Sequence, residues 1–134
     1  MNDNGFYDLK RQNCQQFKSK IYISKYLGTV QDESLNQIKT YDKPVKYFFN
    51  VRDLSGDSEI REFGELSSSM KVAVLTNKYK YMDKFKSFDL AYLDGIEPEN
   101  EIDYGDNANY RIYDIRNQNT IIKIFFIKLV KNQA

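Results

Sequence analysis

The sequence contains no histidine and no tryptophan, and its only cysteine is Cys14. Without histidine, the chain has no His-based catalytic triad and lacks the side chain that most often serves as a general base near neutral pH. A single cysteine can form neither an intrachain disulfide nor a cysteine zinc cluster. We therefore predict that the protein is not an enzyme and that it uses no metal or organic cofactor.

Several longer sequence signals are also missing. No glycine-rich phosphate loop, dinucleotide-binding motif or nucleophile elbow occurs. The amino-terminal residues lack the basic and apolar regions of a signal peptide, and no apolar run approaches the roughly 20 residues of a membrane span. The net charge of +1 predicts neither nucleic-acid nor membrane binding through bulk electrostatics. We expect a soluble protein made inside the cell.

The 134 residues are rich in aromatic side chains, with 11 tyrosines and 9 phenylalanines. These side chains favour the half-buried surface of a sheet, and the length fits one domain. Alternation and β-branched runs predict strands over residues 17–27 (ended by Gly28), 37–41 (the return strand of an exposed hairpin), 45–52, 70–76, 88–93, 109–116 and 120–130. We expect an all-β fold, a small antiparallel β-barrel or sandwich with one long interstrand loop and little helix. It would span residues 17–134, after an amino-terminal arm of residues 1–16.

Residues 54–69 interrupt this β pattern. Gly56, an N-cap at Ser58 and a stop at Gly64 predict one or two helical turns, followed by flexible chain over residues 65–69. The connection is long compared with the usual ~4–6 residues, and connections of such length are usually functional or disordered. A solvated crossover loop and a functional loop are equally good interpretations of this segment.

The last predicted strand is apolar in both of its phases. The apolar residues of the two phases are Ile122, Ile124, Phe126 and Val130, and Phe125, Ile127 and Leu129. An antiparallel strand commonly has one face in water. Either both faces are therefore covered inside the domain, or one of them is a subunit interface.

Residues 77–87 interleave lysines with aromatic residues. The members of this lysine–aromatic cluster are Lys78, Tyr79, Lys80, Tyr81, Lys84 and Phe85. Positive charge combined with stacking can bind single-stranded nucleic acid. The alternative is an amphipathic connection whose lysine stems cover apolar surface. We favour the second interpretation, because no other basic and aromatic strand continues the groove.

Residues 97–106 are dense in carboxylates, which in a loop can bind Ca²⁺. An EF-hand loop needs glycine at its sixth position, and counting from Glu97 that position holds Ile102. We therefore favour a solvated acidic loop over a cation site.

Three phrases of the carboxy-terminal half follow one another in a recognisable order. They are DLAYLDG at residues 89–95, YRIYDI at residues 110–115 and the apolar strand of residues 121–130. Upstream, the strand of residues 47–54 leads through Ser55 and Gly56 into the long connection. This order resembles the tailed-phage head–tail joining proteins, also called head-closure or stopper proteins. The connection over residues 95–109 is longer and more acidic than the family pattern, and that over residues 77–88 is more basic.

The resemblance implies a small β-barrel without a catalytic site that acts as a structural virion protein. It would form a ring at the head–tail connector, or neck, closing the DNA-filled head and giving the tail a docking surface. Its partners would be copies of itself, a portal or adaptor protein on the head side and a tail protein on the other side. Genomic DNA would pass through the lumen without sequence-specific binding, and no membrane would be involved. The protein would be located at the head–tail interface of the virion, after assembly in the host cytoplasm.

The ring implied by the resemblance assigns roles to two sets of residues. We expect the subunit interface to include Phe6, Tyr7, Ile122, Ile124 and Phe126. We expect residues 55–69 to point into the lumen as an acidic gate that repels DNA phosphates, with hinges at the glycines. The gate residues are Gly56, Asp57, Glu59, Arg61, Glu62, Phe63, Gly64 and Glu65. The alternatives are a nucleic-acid-binding β-barrel that uses the lysine–aromatic cluster, and another neck or tail component such as a tail-completion protein.

Overall fold

The computed structural model describes residues 18–54, 56–99, 105 and 107–130. The predicted arm of residues 1–16, with Phe6 and Tyr7, lies outside this part of the chain. In chain order, the elements are β1 (Lys18–Ser24), β2 (Tyr26–Gln31), β3 (Gln37–Tyr41), β4 (Val45–Asp53), α1 (Asp57–Phe63), a 3-10 helix (Gly64–Ser69), β5 (Met70–Leu75), α2 (Lys78–Tyr81), β6 (Leu90–Tyr92), β7 (Tyr110–Asn117) and β8 (Ile122–Lys128). Neither α-helix of the described residues is long and apolar enough to cross a membrane.

Six strands form a closed antiparallel barrel. Their order around the barrel is β1, β4, β5, β8, β7 and β6, and β6 closes the ring by pairing with β1. The register pairs Ser19 with Phe49 between β1 and β4, and Ala73 with Ile124 between β5 and β8. The prediction of an all-β fold is confirmed, and the fold is a barrel rather than a sandwich. Closure pairs every barrel strand on both of its sides, which removes the free edges of an open sheet.

Alternation along β4 shows how the sequence specifies the barrel wall. Phe49 is buried in the interior and Tyr47 packs against the same core, whereas Phe48 between them faces solvent. The rings of Tyr47 and Phe49 stack with centroids 5.2 Å apart. Tyr81 and Phe85, which follow β5, pack edge-on against these rings. Aromatic pairs in this arrangement stabilise a core beyond the area that they bury.

The first predicted strand differs from the structure. The chain of residues 17–27 divides between β1 and β2, and β2 pairs with β3 in a separate two-stranded sheet. Gly28 does not end the strand; it lies inside β2 at a φ of 122°, where the register shifts. The strand divides because the amide of Tyr26 turns away from the barrel and donates to the buried carboxylate of Asp89 at 2.9 Å. The predicted return strand over residues 37–41 is confirmed as β3.

The connection between β4 and β5 is mostly helical. α1 begins after Gly56, which takes the N-cap position that the sequence assigned to Ser58. The prediction of flexible chain over residues 65–69 is wrong, because residues Gly64–Ser69 form the 3-10 helix. Two serine hydroxyls in this helix donate to backbone carbonyls three residues earlier, and these bonds stabilise the tight turns.

Both faces of β8 are covered within the chain. Ile122, Ile124 and Phe126 are buried in the barrel interior, with at most 1% of each residue exposed. On the outer face, Phe125 is buried beneath Phe63 of α1. The prediction that Ile122, Ile124 and Phe126 form a subunit interface is therefore wrong, because a neighbouring subunit cannot reach side chains that fill the barrel.

Candidate interaction surfaces

The predicted gate spans residues 55–69, and its described part, residues 56–69, lies against the outer wall of the barrel. Its anchor is Phe63, whose ring centroid is 5.0 Å from that of Phe125 and 6.0 Å from that of Tyr113. The guanidinium of Arg116 lies over the same ring, 5.3 Å from its centroid. These contacts hold the last turn of α1 on β7 and β8, so this segment is docked on the wall.

Ion pairs add to the docking of α1. The side chain of Glu59 is 13% exposed and lies 3.2 Å from Arg52 and 3.5 Å from Lys123. Glu62 accepts two hydrogen bonds from Arg116, and these bonds lower the pKa of the Glu62 carboxyl. Two gate carboxylates are therefore compensated by basic side chains of the wall. This pairing reduces the repulsion of DNA phosphates that the predicted gate requires.

The remaining predicted gate residues lie along the same docked segment. Gly56, Arg61, Gly64 and Glu65 are exposed, and the side chain of Asp57 lies outside the described part of the chain. Both glycines have positive φ, 104° for Gly56 and 58° for Gly64, a region that favours glycine. They bend the chain at the start of α1 and between α1 and the 3-10 helix. The hinge role of these glycines stays a prediction, and so does the position of the segment in a lumen.

Truncation of Phe63 is expected to release α1 without unfolding the barrel. The Phe63→Ala change removes a half-buried ring, so it should lower the free energy of unfolding by about 2 kcal/mol. Backbone amides of α1 should exchange hydrogen faster while those of β7 and β8 stay protected, as mass spectrometry can measure. The control is Ile60→Ala, which truncates an exposed side chain of the same helix. Unchanged exchange of α1 in Phe63→Ala would show that this ring is not the anchor.

The β2–β3 hairpin is a second candidate surface. β2 has 6 residues, so the hairpin extends for about 20 Å. Its exposed apolar side chains are Leu27, Val30, Leu35 and Ile38. A two-stranded hairpin is marginally stable by itself, and contiguous exposed apolar surface commonly marks an interaction site. The hairpin is therefore a candidate for contact with another protein surface.

A buried carboxylate fixes the base of this hairpin. Asp89, which is 1% exposed, accepts hydrogen bonds from the amides of Tyr26 at 2.9 Å and Lys86 at 3.0 Å, one on each oxygen. Nearby, the ring of Tyr41 packs over Gly105, where an added Cβ would lie 3.4 Å from the ring. The first residue of the phrase DLAYLDG therefore has a structural role that the sequence pattern did not reveal.

The structure divides the predicted nucleic-acid residues between core and surface. These residues are Lys78, Tyr79, Lys80, Tyr81, Lys84 and Phe85. Phe85 is buried, so its predicted role in stacking on a base is wrong. Tyr81 stacks on Phe85 at 6.1 Å, and the ammonium groups of Lys80 and Lys84 lie over the Tyr81 ring at 5.3 and 5.7 Å. Tyr79, which is 87% exposed, has a ring open to a ligand.

A groove of about 520 Å³ lies beside α2, between the start of β1, the middle of β4 and the end of β5. Its lining includes Lys18, Phe48, Asn50, Lys80 and Tyr81, and none of the described lining residues is acidic. The sequence pattern did not predict this groove. One signal was present, because Phe48 is an aromatic residue in the otherwise polar phase of β4. We call this surface the basic groove.

The acidic connection of residues 97–106 is described at only some of its positions. Glu97 forms an ion pair with Lys20 at 2.5 Å, and its carbonyl accepts a hydrogen bond from the side-chain amide of Asn107 at 2.6 Å. Within the described positions of the chain, no group of three or more His, Cys, Asp or Glu side chains is arranged to hold a metal ion. The described part of this connection therefore offers no candidate metal centre.

The fold and these surfaces define a closed six-stranded β-barrel with a projecting hairpin and a helix docked on its wall. No family model matches the chain, and no curated protein matches it. The chain is similar in structure to protein SF1141 from Shigella flexneri 2a, a structural-genomics target with a solution structure. The TM-score is 0.58 and the sequence identity 11%, over 90% of this chain and 99% of that one. At this identity, the likeness shows the fold alone.

Proposed function

We propose that this chain is a structural protein of a tailed-phage virion, one that forms a ring at the neck, closes the DNA-filled head and gives the tail a docking surface. One observation carries the proposal. The barrel presents a largely exposed hairpin with apolar side chains on a wall that is otherwise closed and well packed. Such a projection suits a protein that functions by contact with other subunits.

A ring requires two different surfaces on each subunit. A closed rotational assembly with head-to-tail contacts joins one patch of a subunit to a different patch of its neighbour. The base of the hairpin lies at β1 and β6, whereas the basic groove lies at β4 and β5. The groove includes Lys18 at the start of β1, whereas the hairpin begins at Tyr26, after β1 ends at Ser24. The two surfaces therefore lie at opposite ends of this strand.

The phrases that resemble head–tail joining proteins have clear roles in this barrel. Asp89 fixes the hairpin base by accepting two backbone hydrogen bonds. Asp94 and Gly95 have φ values of 59° and 78°, and consecutive positive φ values are typical of a tight type I′ turn. Tyr110 and Ile112 are buried in the barrel core. The residues of the resemblance thus belong to the framework of the barrel.

The proposal is tested in the phage or prophage that carries this gene. An early stop codon in the gene is expected to yield heads that package DNA and then lose it, together with free tails. Electron microscopy of the particles and quantification of nuclease-protected DNA measure both effects. Supplying the intact chain from a plasmid should restore complete virions. Complete, DNA-filled, tailed virions in the absence of the chain would overturn the proposal.

A nucleic-acid-binding barrel is the second candidate function, favoured by the exposed Tyr79 ring between Lys78 and Lys80. Binding of this kind weakens steeply with salt, because each phosphate contact releases counterions. Fluorescence anisotropy with a labelled single-stranded oligonucleotide at two salt concentrations distinguishes the candidates. A salt-steep affinity that Tyr79→Ala reduces would support the nucleic-acid function. For the ring protein, we expect weak binding that Tyr79→Ala does not change.

A further inference from the structure

The tip of the β2–β3 hairpin is a pre-formed acidic turn. Asp32 Oδ1 accepts hydrogen bonds from the amides of Ser34 at 2.9 Å and Asn36 at 2.8 Å. The amide of Leu35 donates to the Asp32 carbonyl at 3.1 Å, and Leu35 adopts a φ of 65°. The Leu35 residue is 75% exposed, and Glu33, two residues earlier in the turn, is exposed as well. The turn therefore presents an apolar side chain beside negative charge in a fixed conformation.

The basic groove has the complementary properties. Lys18 and Lys80 supply positive charge, and the exposed ring of Phe48 supplies apolar surface. Its volume of about 520 Å³ lies within the range of about 300–1,000 Å³ that is typical of ligand pockets, a size suited to a few side chains of a partner. None of its described lining residues carries a negative charge that would repel an acidic occupant.

We propose that the acidic hairpin tip of one copy of this chain docks in the basic groove of the next copy. In this contact, Leu35 packs against Phe48, and Glu33 lies beside Lys80. The inference rests on the proposed ring and names the contact that builds it. Complementary charge fixes the partner and the orientation of an interface, while the apolar pair supplies the buried surface. The contact joins two different patches, so it repeats around a ring.

Two features favour a second copy over a nucleic-acid strand in this groove. First, the Tyr81 ring is stacked on Phe85 and lies under lysine ammonium groups, so its faces are engaged within the chain. The Phe48 ring is exposed, but the ammonium group of Lys46 lies over it at 5.9 Å. Base stacking, which drives binding of single strands, requires open aromatic faces. Second, the internal hydrogen bonds of the tip already order it, which lowers the entropic cost of docking.

Disulfide trapping between two variants of the full chain tests the contact. Both carry Cys14→Ser; one adds Leu35→Cys and the other Phe48→Cys. Mixed under oxidised glutathione, the two should form a heterodisulfide about tenfold faster than Leu35→Cys does with an Ile60→Cys control on α1, because docking brings the thiols together. Equal rates with the two partners would overturn the proposal.

Charge reversal in the same assay tests whether Glu33 of the tip pairs with Lys80 of the groove. Glu33→Lys on the tip variant, or Lys80→Glu on the groove variant, should each slow heterodisulfide formation about tenfold, since like charges at an interface are unfavourable. Combining the two reversals should restore most of the rate. Glu65→Lys, the same charge change on the docked segment, is the control and should leave the rate unchanged. Equal slowing by Glu65→Lys, or no rescue by the combined reversals, would overturn the proposed pairing.

The outcomes for this contact and for the virion function are separable. Trapping uses purified chains, so the contact can be established even if the stop codon leaves virions intact. A stop-codon phenotype with no specific trapping would instead keep the neck function and overturn this contact. Loss of oligonucleotide binding in Lys80→Glu, together with equal trapping rates, would assign the groove to nucleic acid and overturn the proposal.

Discussion

Replacement of Phe126 by alanine is expected to lower the free energy of unfolding by about 3–5 kcal/mol, a large share of the roughly 5–15 kcal/mol that stabilises a typical domain. The Phe126 residue is 0% exposed and its Cα partner in the sheet is Ile112, which is also fully buried. Its removal leaves a cavity that a closed barrel cannot easily collapse. Urea unfolding followed by circular dichroism measures the loss.

The same experiment distinguishes a core residue from an interface residue. A core residue stabilises the monomer itself, so the full loss in Phe126→Ala should already be present in the dilute range in which the chain is monomeric, whereas loss of an interface residue would leave the monomer nearly unchanged. Phe48→Ala is the control, because this ring is exposed and its truncation should change stability by less than about 0.5 kcal/mol. A loss below about 1 kcal/mol in Phe126→Ala would contradict the placement of this ring in the barrel core.

Replacement of Asp89 by alanine is expected to cost about 3 kcal/mol, although the change removes little apolar surface. The amides of Tyr26 and Lys86 would lose their acceptor, and a buried donor without a partner costs about 1–3 kcal/mol. The damage should concentrate at the hairpin base. We therefore expect faster hydrogen exchange in β2 and β3 than in β5 and β8, measured by mass spectrometry.

Two further variants show whether the loss comes from these hydrogen bonds. Asp89→Asn keeps one acceptor oxygen but places an amide group toward the second donor, so it should recover only part of the loss. Asp53→Ala removes a side chain that is 85% exposed, and its stability should stay near that of the wild type. Wild-type stability in Asp89→Ala would contradict the role of this carboxylate as the fixed point of the hairpin.

The strands of the barrel could be predicted because their pattern is local. β4, β5, β7 and β8 begin and end within a residue or two of the predicted segments, since alternation and β-branched runs describe a half-buried strand directly. The division of residues 17–27 could not be predicted. It depends on the hydrogen bond from Tyr26 to Asp89, a partner more than sixty residues away in the chain.

The candidate sites were harder to predict than the fold. In β8, both phases are apolar, so the sequence alone could not show that Phe126 faces the interior while Phe125 lies under α1. That distinction is made by tertiary contacts, chiefly the docking of Phe63. The acidic composition of residues 56–69 likewise suggested a free charged loop. In the structure, Arg116 compensates Glu62, a partner that only the fold brings near.

The structure moves the proposed assembly contacts away from the predicted positions. In our proposal, the hairpin and the basic groove replace β8 as the surfaces that would join subunits. A gate at residues 56–69 would have to leave the barrel wall, and Phe63→Ala is the variant that would favour such a movement. In our proposal, ring assembly and gating are separable, since the tip and groove residues do not belong to the docked segment.

Cryo-electron microscopy of tailed virions assembled with this chain tests the proposed neck function most directly. The predicted result is a ring of these β-barrels between the portal and the tail, with the hairpin tip of each copy in the basic groove of its neighbour. Virions that hold their DNA and carry tails, but whose necks contain no density for this barrel, would contradict the assignment.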